Sequence, residues 1–133
     1  RVVMGPQDDY FTAAGIDTFL KETYTVTPEF DRMGCRLDGP VIAHKDGGDI
    51  ISDGIAFGAI QVPSAGTPII MLGDRQTTGG YTKIATVITA DFRTLAQLKA
   101  GDKVQFVKVP VEYAQGLLLA QRSALKALSR INA

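Results

Sequence analysis

Gly73-Asp74-Arg75-Gln76-Thr77-Thr78-Gly79-Gly80-Tyr81-Thr82-Lys83 lies between two apolar runs, Pro68-Ile69-Ile70-Met71-Leu72 and Ile84-Ala85-Thr86-Val87-Ile88. The flanking runs are short, partly β-branched and bounded by Gly and polar residues, which predicts two strands joined by a polar loop. A loop held at both ends by a sheet is a usual place for function, because a rigid scaffold positions mobile groups. The Gly79-Gly80 pair permits positive φ or close approach of a ligand to the backbone. Asp74, Arg75 and Lys83 can pair with one another, or recognise a carboxylate or carbonyl.

Upstream, Ala59-Ile60-Gln61-Val62-Pro63 reads as a strand and Ser64-Ala65-Gly66-Thr67 as the hairpin loop into Pro68. Ala13, Ile16, Phe19 and Leu20 fall at helical spacing, predicting an amphipathic helix over 12–22 in which Gly15 is unfavourable. Thr23 to Thr27 is β-branched and aromatic, a strand that Pro28 should end. Glycines break any sustained period between Val41 and Ala59. Downstream, Asp91 is expected to cap a short helix from Phe92 to Leu98, and Gly101-Asp102 to turn into a strand from Lys103 to Val109. Val111 to Ile131 is the longest helical pattern, with a leucine-rich face. Short strands, Gly-rich turns and helices near the two ends predict a mainly β, compact barrel carrying peripheral helices.

Composition narrows the classes. A chain of 133 residues fits one domain, and its 14 basic and 14 acidic residues leave no field to attract nucleic acid or a membrane surface. No apolar run approaches the ~20 residues that span a bilayer. The beginning does not read as a signal peptide, and opening on Arg1 suggests a part of something longer. The single Cys35 excludes an intrachain disulfide and points to a reducing, cytoplasmic setting. His44 is the one histidine, without Cys or His at ligand spacing, so no metal site is expected; His44-Lys45-Asp46 reads as a surface turn.

Six blocks in order carry a resemblance: Ile16-Asp17-Thr18-Phe19-Leu20; Tyr24-Thr25-Val26-Thr27-Pro28; Asp31-Arg32-Met33-Gly34 with Arg36-Leu37-Asp38-Gly39-Pro40; Ser52-Asp53-Gly54-Ile55; Gly58-Ala59-Ile60-Gln61-Val62-Pro63; and Asp74-Arg75-Gln76-Thr77-Thr78-Gly79-Gly80-Tyr81. Together they resemble the biotin-dependent carboxyltransferase family, which includes the allophanate hydrolase subunit 2 proteins, the C-type component of bacterial 5-oxoprolinase, the Kip antagonist and the carboxyltransferase region of urea carboxylase. The resemblance implies a cyclophilin-like closed β-barrel, and that residues 1–133 form the second, C-terminal half of a two-half protein with its cleft between the halves. Thr82 stands where a Pro often follows the Tyr of the last block, which frees a backbone N–H beside Lys83.

What the resemblance implies for function is one wall of an amide- or lactam-processing site, not active alone. The reaction would be carboxyl transfer to a urea-like substrate, or ATP-dependent 5-oxoproline hydrolysis with a B-type partner subunit. The implied cofactors are biotin, as carboxybiotin on a partner domain, and ATP through the partner subunit. A site that holds a ureido group and stabilises a developing oxyanion needs fixed donors. Gln76, Thr77, Thr78, the Gly79 and Gly80 amides, Asp74 and Arg75 are the candidates for binding, and Tyr81 and Lys83 for catalysis. Lys83 could hold an oxyanion or, desolvated, act as a base. Asp74–Arg75 can equally be a structural pair, and Asp31–Arg32 either a substrate contact or a structural clamp. Gln61 either lies on the cleft wall or satisfies backbone groups. The alternative, from the Kip antagonist branch, is a non-catalytic module that antagonises a histidine-kinase inhibitor. The Leu stripe after Val111 is expected to pack against the barrel or against another copy.

Overall fold

The computed structural model describes residues 1–133 except Pro6, Asp31, Arg32, Asp74, Thr77, Asn132 and Ala133, with Phe30, Asp49, Ile51 and 123–131 described by backbone alone. Eight strands form one curled sheet: β1 (Val2–Met4), β2 (Tyr24–Phe30), β3 (Gly34–Asp38), β4 (Asp49–Gly54), β5 (Ala59–Val62), β6 (Ile69–Met71), β7 (Thr78–Val87) and β8 (Lys103–Val104). The order is β1-β7-β5-β6-β3-β2-β8, with β4 added to β7, and every one of these pairings is antiparallel. Among the described residues three α-helices lie outside the sheet: α1 (Ala13–Lys21), α2 (Phe92–Ala96) and α3 (Val111–Ile131).

The predicted strand over 103–109 does two jobs. Its first two residues pair with β2; farther on, Val2 N–H donates to the Val107 carbonyl (2.8 Å) and Val109 N–H to the Val2 carbonyl (2.9 Å), a parallel bridge onto β1. The segment thus passes from one end strand of the sheet to the other and ties the curl together. Inside pack Ile60, Val62, Ile70, Ile84, Leu37 and Val26, with Phe19 stacked on Phe106 at 4.5 Å between ring centres. Each such side chain contributes about 1.5–3 kcal/mol by leaving water.

Strand β7 begins inside the segment read as loop. Thr78 to Lys83 belong to the sheet, pairing with β4 on one edge and β5 on the other. The signal was hidden because the Gly79-Gly80 pair is unfavourable in a strand, and β4 itself falls in the Gly-broken stretch 41–59. β2 likewise runs through Pro28 instead of ending there, with a register irregularity between Val26 and Phe30; proline is tolerated at such a bulge because no ladder N–H is required of it. Asp91 makes no capping hydrogen bond to α2; its carboxylate takes the Arg1 guanidinium instead, at 2.7 and 3.1 Å. Gly66, at φ +89°, makes the β5–β6 hairpin loop as expected.

Candidate functional site

The two faces of the sheet differ. Opposed residues of an antiparallel pair point to the same side, so the registers Arg36↔Ile69, Ile69↔Gln61 and Gln61↔Lys83 set four side chains in one row across β3, β6, β5 and β7. This row faces away from the main core. Its floor is a second apolar cluster, Ile55, Ala59, Ile69 and Met71. Over that floor open two adjoining hollows of about 470 and 440 Å³ that share Gln61, Met71, Gln76 and Tyr81. The first extends to Glu29 and Arg36, the second to Gly79 and Gly80.

Gln61 is 4% exposed and its Nε2 has no hydrogen-bond partner among the described residues. Gly79 leaves room beside it: a Cβ there would stand 3.1 Å from that nitrogen and 2.8 Å from Ile55 Cδ1, so both side-chain ends would have to shift. A buried amide N–H₂ without an acceptor is costly, so it marks a position where an acceptor oxygen would be stabilising.

Lys83 lies one strand beyond Gln61 and is outside the walls of both hollows. It is 2% exposed, and its Nζ has no hydrogen-bond partner among the described residues either. Asp53 Oδ2 stands 3.7 Å away, an ion-pair distance too long for a hydrogen bond. Asp53 is itself 56% exposed and is fixed from two further directions. The Gly54 N–H donates to its Oδ1 (2.8 Å) and Gln7 Nε2 to its Oδ2 (3.3 Å). These hydrogen bonds, the Gly54 N–H first and the Lys83 charge next, hold the Asp53 carboxyl below the usual carboxylate range. Gln7 also binds Lys83 through the backbone: Oε1 accepts from the Lys83 N–H (3.0 Å), and Gln7 N–H donates to the Lys83 carbonyl (3.0 Å).

Of the residues picked out from sequence, Gln76, Gly79, Gly80 and Tyr81 meet at the hollows. Arg75 spends its guanidinium on backbone carbonyls, Ile55 (3.1 Å) and Gly73 (3.3 Å), and lies 6.0 Å from the Phe57 ring centre. Thr78 is exposed, opposite Gly54 on β4. Asp31, Arg32, Asp74 and Thr77 lie outside the described residues. Gln7 and Asp53 were not singled out by role; only the juxtaposition of β4, β7 and the segment after β1 brings them to Lys83. Gln61 lies on the wall of the hollows, one of the two places its sequence position allows.

Behind Thr82 the surface-turn reading of His44 fails. His44 Nε2 is 2.8 Å from the Val62 carbonyl and 3.0 Å from the Thr82 hydroxyl, and its ring lies against Phe11 at 4.6 Å. The backbone N–H that Thr82 retains is used, donating to the Gly48 carbonyl at 2.9 Å.

Comparison with known proteins agrees with this architecture. A family model described as the carboxyltransferase domain, subdomain A and B, matches residues 1–108. The chain is 37% identical over 114 residues to the C-type component of 5-oxoprolinase from Escherichia coli, covering 86% of this chain and 37% of that protein. It is 31% identical over 138 residues to the urea amidolyase of Lachancea kluyveri, covering 96% of this chain and 8% of that protein. In structure it is similar to the urea amidolyase of Kluyveromyces lactis, with a TM-score of 0.85 and 28% identity over 92% of this chain and 8% of that one. The chain therefore spans little more than a third of the oxoprolinase component and a small part of the amidolyases.

Proposed function

We propose that this chain, which belongs to the carboxyltransferase family of subdomains A and B, binds the carbonyl of an amide, ureide or lactam in the cleft above Ile69 and Met71. The single observation that carries the reading is the buried, unpartnered Nε2 of Gln61 on the wall of the cleft. Gln76 and Tyr81 border the same space and add donors, the Gly79–Gly80 backbone lets a planar group lie close, and the apolar floor excludes water. A donor set that is mostly uncharged suits a carbonyl oxygen.

The cleft is open on one side, and Tyr81 and Met33 are exposed at it. On our reading a companion domain of the same protein closes it, so that this chain forms one wall and does not turn over substrate by itself. The higher identity to the 5-oxoprolinase component than to the amidolyase supports a lactam-processing role with a partner subunit. The same residues also fit a ureido ring: Gln61 and Gln76 would hold its carbonyl and Tyr81 would border its face. Carboxybiotin on a partner domain would supply a transferable carboxyl group there.

The test is titration of 2-pyrrolidinone, a bare lactam, into the ¹⁵N-labelled chain. Resonances of Gln61, Gln76, Gly79 and Tyr81 should shift together, and Gln61→Ala should weaken binding about fivefold or more, the equivalent of one lost hydrogen bond of roughly 1 kcal/mol. Shifts confined to other surfaces would overturn the reading.

A further inference from the structure

Each cation of the cross-strand row has a carboxylate beside it. Arg36 Nε is 3.6 Å from Glu29 Oε2 at one end, and Lys83 Nζ is 3.7 Å from Asp53 Oδ2 at the other. The donor between them, Gln61 Nε2, carries no charge. Asp53 is not left to find Lys83 by chance. Gln7 holds that carboxylate through its Nε2 while its Oε1 and backbone N–H bind the Lys83 N–H and carbonyl, and the Gly54 N–H fixes the other carboxylate oxygen. An exposed carboxylate with three fixed partners keeps its place beside the ammonium where a free one would swing into water.

We infer that Gln7 and Asp53 are specificity-determining residues: by pinning a negative charge against Lys83 they make the cleft select a neutral carbonyl over a carboxylate of the same shape. This rests on the carbonyl-binding reading above. With the ammonium compensated, an incoming anion gains little from Lys83 and meets the Asp53 and Glu29 charges, whereas an amide meets no such cost. The depressed Asp53 titration agrees with a carboxylate that stays ionised through the neutral range. Neither residue touches the ligand on this account. They act through Lys83, from the strand next to Gln61.

Acetamide and acetate test the claim, being nearly identical in shape and different in charge. Each is titrated into the ¹⁵N-labelled chain at pH 7 and low salt, reading the Gln61 side-chain and Tyr81 backbone resonances. The wild-type chain should bind acetamide in preference to acetate. Asp53→Asn, which keeps the side-chain shape at an exposed position, should move the ratio toward acetate by about three- to fivefold, the scale of a partly screened ion pair. Gln7→Ala should move it in the same direction by less, because it loosens Asp53 without removing it, and 0.5 M NaCl should shrink both effects. If both probes bind at Gln61 and the ratio is the same in all three proteins, the charge-selection role is wrong and the cleft reading survives. If neither probe moves those resonances in any of the three, both are wrong.

Discussion

His44 reaches under β7 to Thr82: its Nε2 stands 3.0 Å from the buried hydroxyl, and the same nitrogen is 2.8 Å from the Val62 carbonyl. Since a carbonyl can only accept, this network assigns the N–H to Nε2. The contact joins the segment before β4 to the strand pair β5–β7, directly behind Gln61 and Lys83. His44→Ala would take one hydrogen bond from the Val62 carbonyl, leaving that of the Thr82 hydroxyl (3.1 Å), and remove the ring from Phe11. A loss of about 1–3 kcal/mol is expected, measured as a lower urea midpoint.

Gly15 in α1 is explained by its neighbour. Alanine at an ordinary helix position is more favourable than glycine, yet a Cβ at 15 would press into the Ala43 carbonyl oxygen and stand 2.9 Å from the Ala43 nitrogen. Backbone cannot rotate away as a side chain can. Gly15→Ala is therefore expected to destabilise, by about 1–3 kcal/mol, against the sign that helix propensity alone assigns. Thermal unfolding followed by circular dichroism reads the sign directly.

Lys83 is buried at a cost to stability. A buried ammonium without a hydrogen bond is costly, and Asp53 is exposed enough to be solvated once its partner is gone. Lys83→Met, of similar length, should leave the urea midpoint equal to or above that of the wild-type chain. A clear fall in midpoint would show that the ion pair is a net stabiliser.

Asp91 gives the acid limb of stability. Hydrogen bonds from the Arg1 guanidinium hold its carboxyl below the usual range, against an opposing push from partial burial. A group whose folded value is depressed contributes stability that is complete above the unfolded value, near 3.8, and lost as the pH falls through the lowered folded one. Asp91→Asn should thus be less stable than the wild-type chain at pH 7, with the gap closing below about pH 4. A gap that is constant from pH 7 to pH 2 would remove Arg1–Asp91 as its source.

Cys35 faces the main core, and burial pushes its thiol up to about 11. Reaction with a thiol-specific disulfide reagent at pH 7.5 should be slow in the folded chain and at least a hundredfold faster in denaturant, since only the thiolate attacks and only unfolding exposes it.

Much of the fold follows from pattern along the chain, because strands, hairpin turns and helices are local. The helix α1, the hairpin β5–β6 with its Gly66 turn and the long helix α3 are spaced as their sequences demand. Gln76, Gly79, Gly80 and Tyr81 likewise fall in one short segment, and all four border the hollows. Pairing partners are another matter. Nothing local tells Thr78–Lys83 that β4 and β5 lie on its two edges, or that 103–109 changes neighbour midway, since strand partners are distant in sequence and hydrogen bonds do not discriminate among them. The tertiary arrangement alone put Gln61 opposite Lys83, carried Gln7 and Asp53 to the same ammonium, and turned His44 inward. The physical reason is one of range: propensity and periodicity act over a few residues, whereas burying an unpaired donor beside a cleft needs groups far apart in the chain to meet within hydrogen-bond or ion-pair reach.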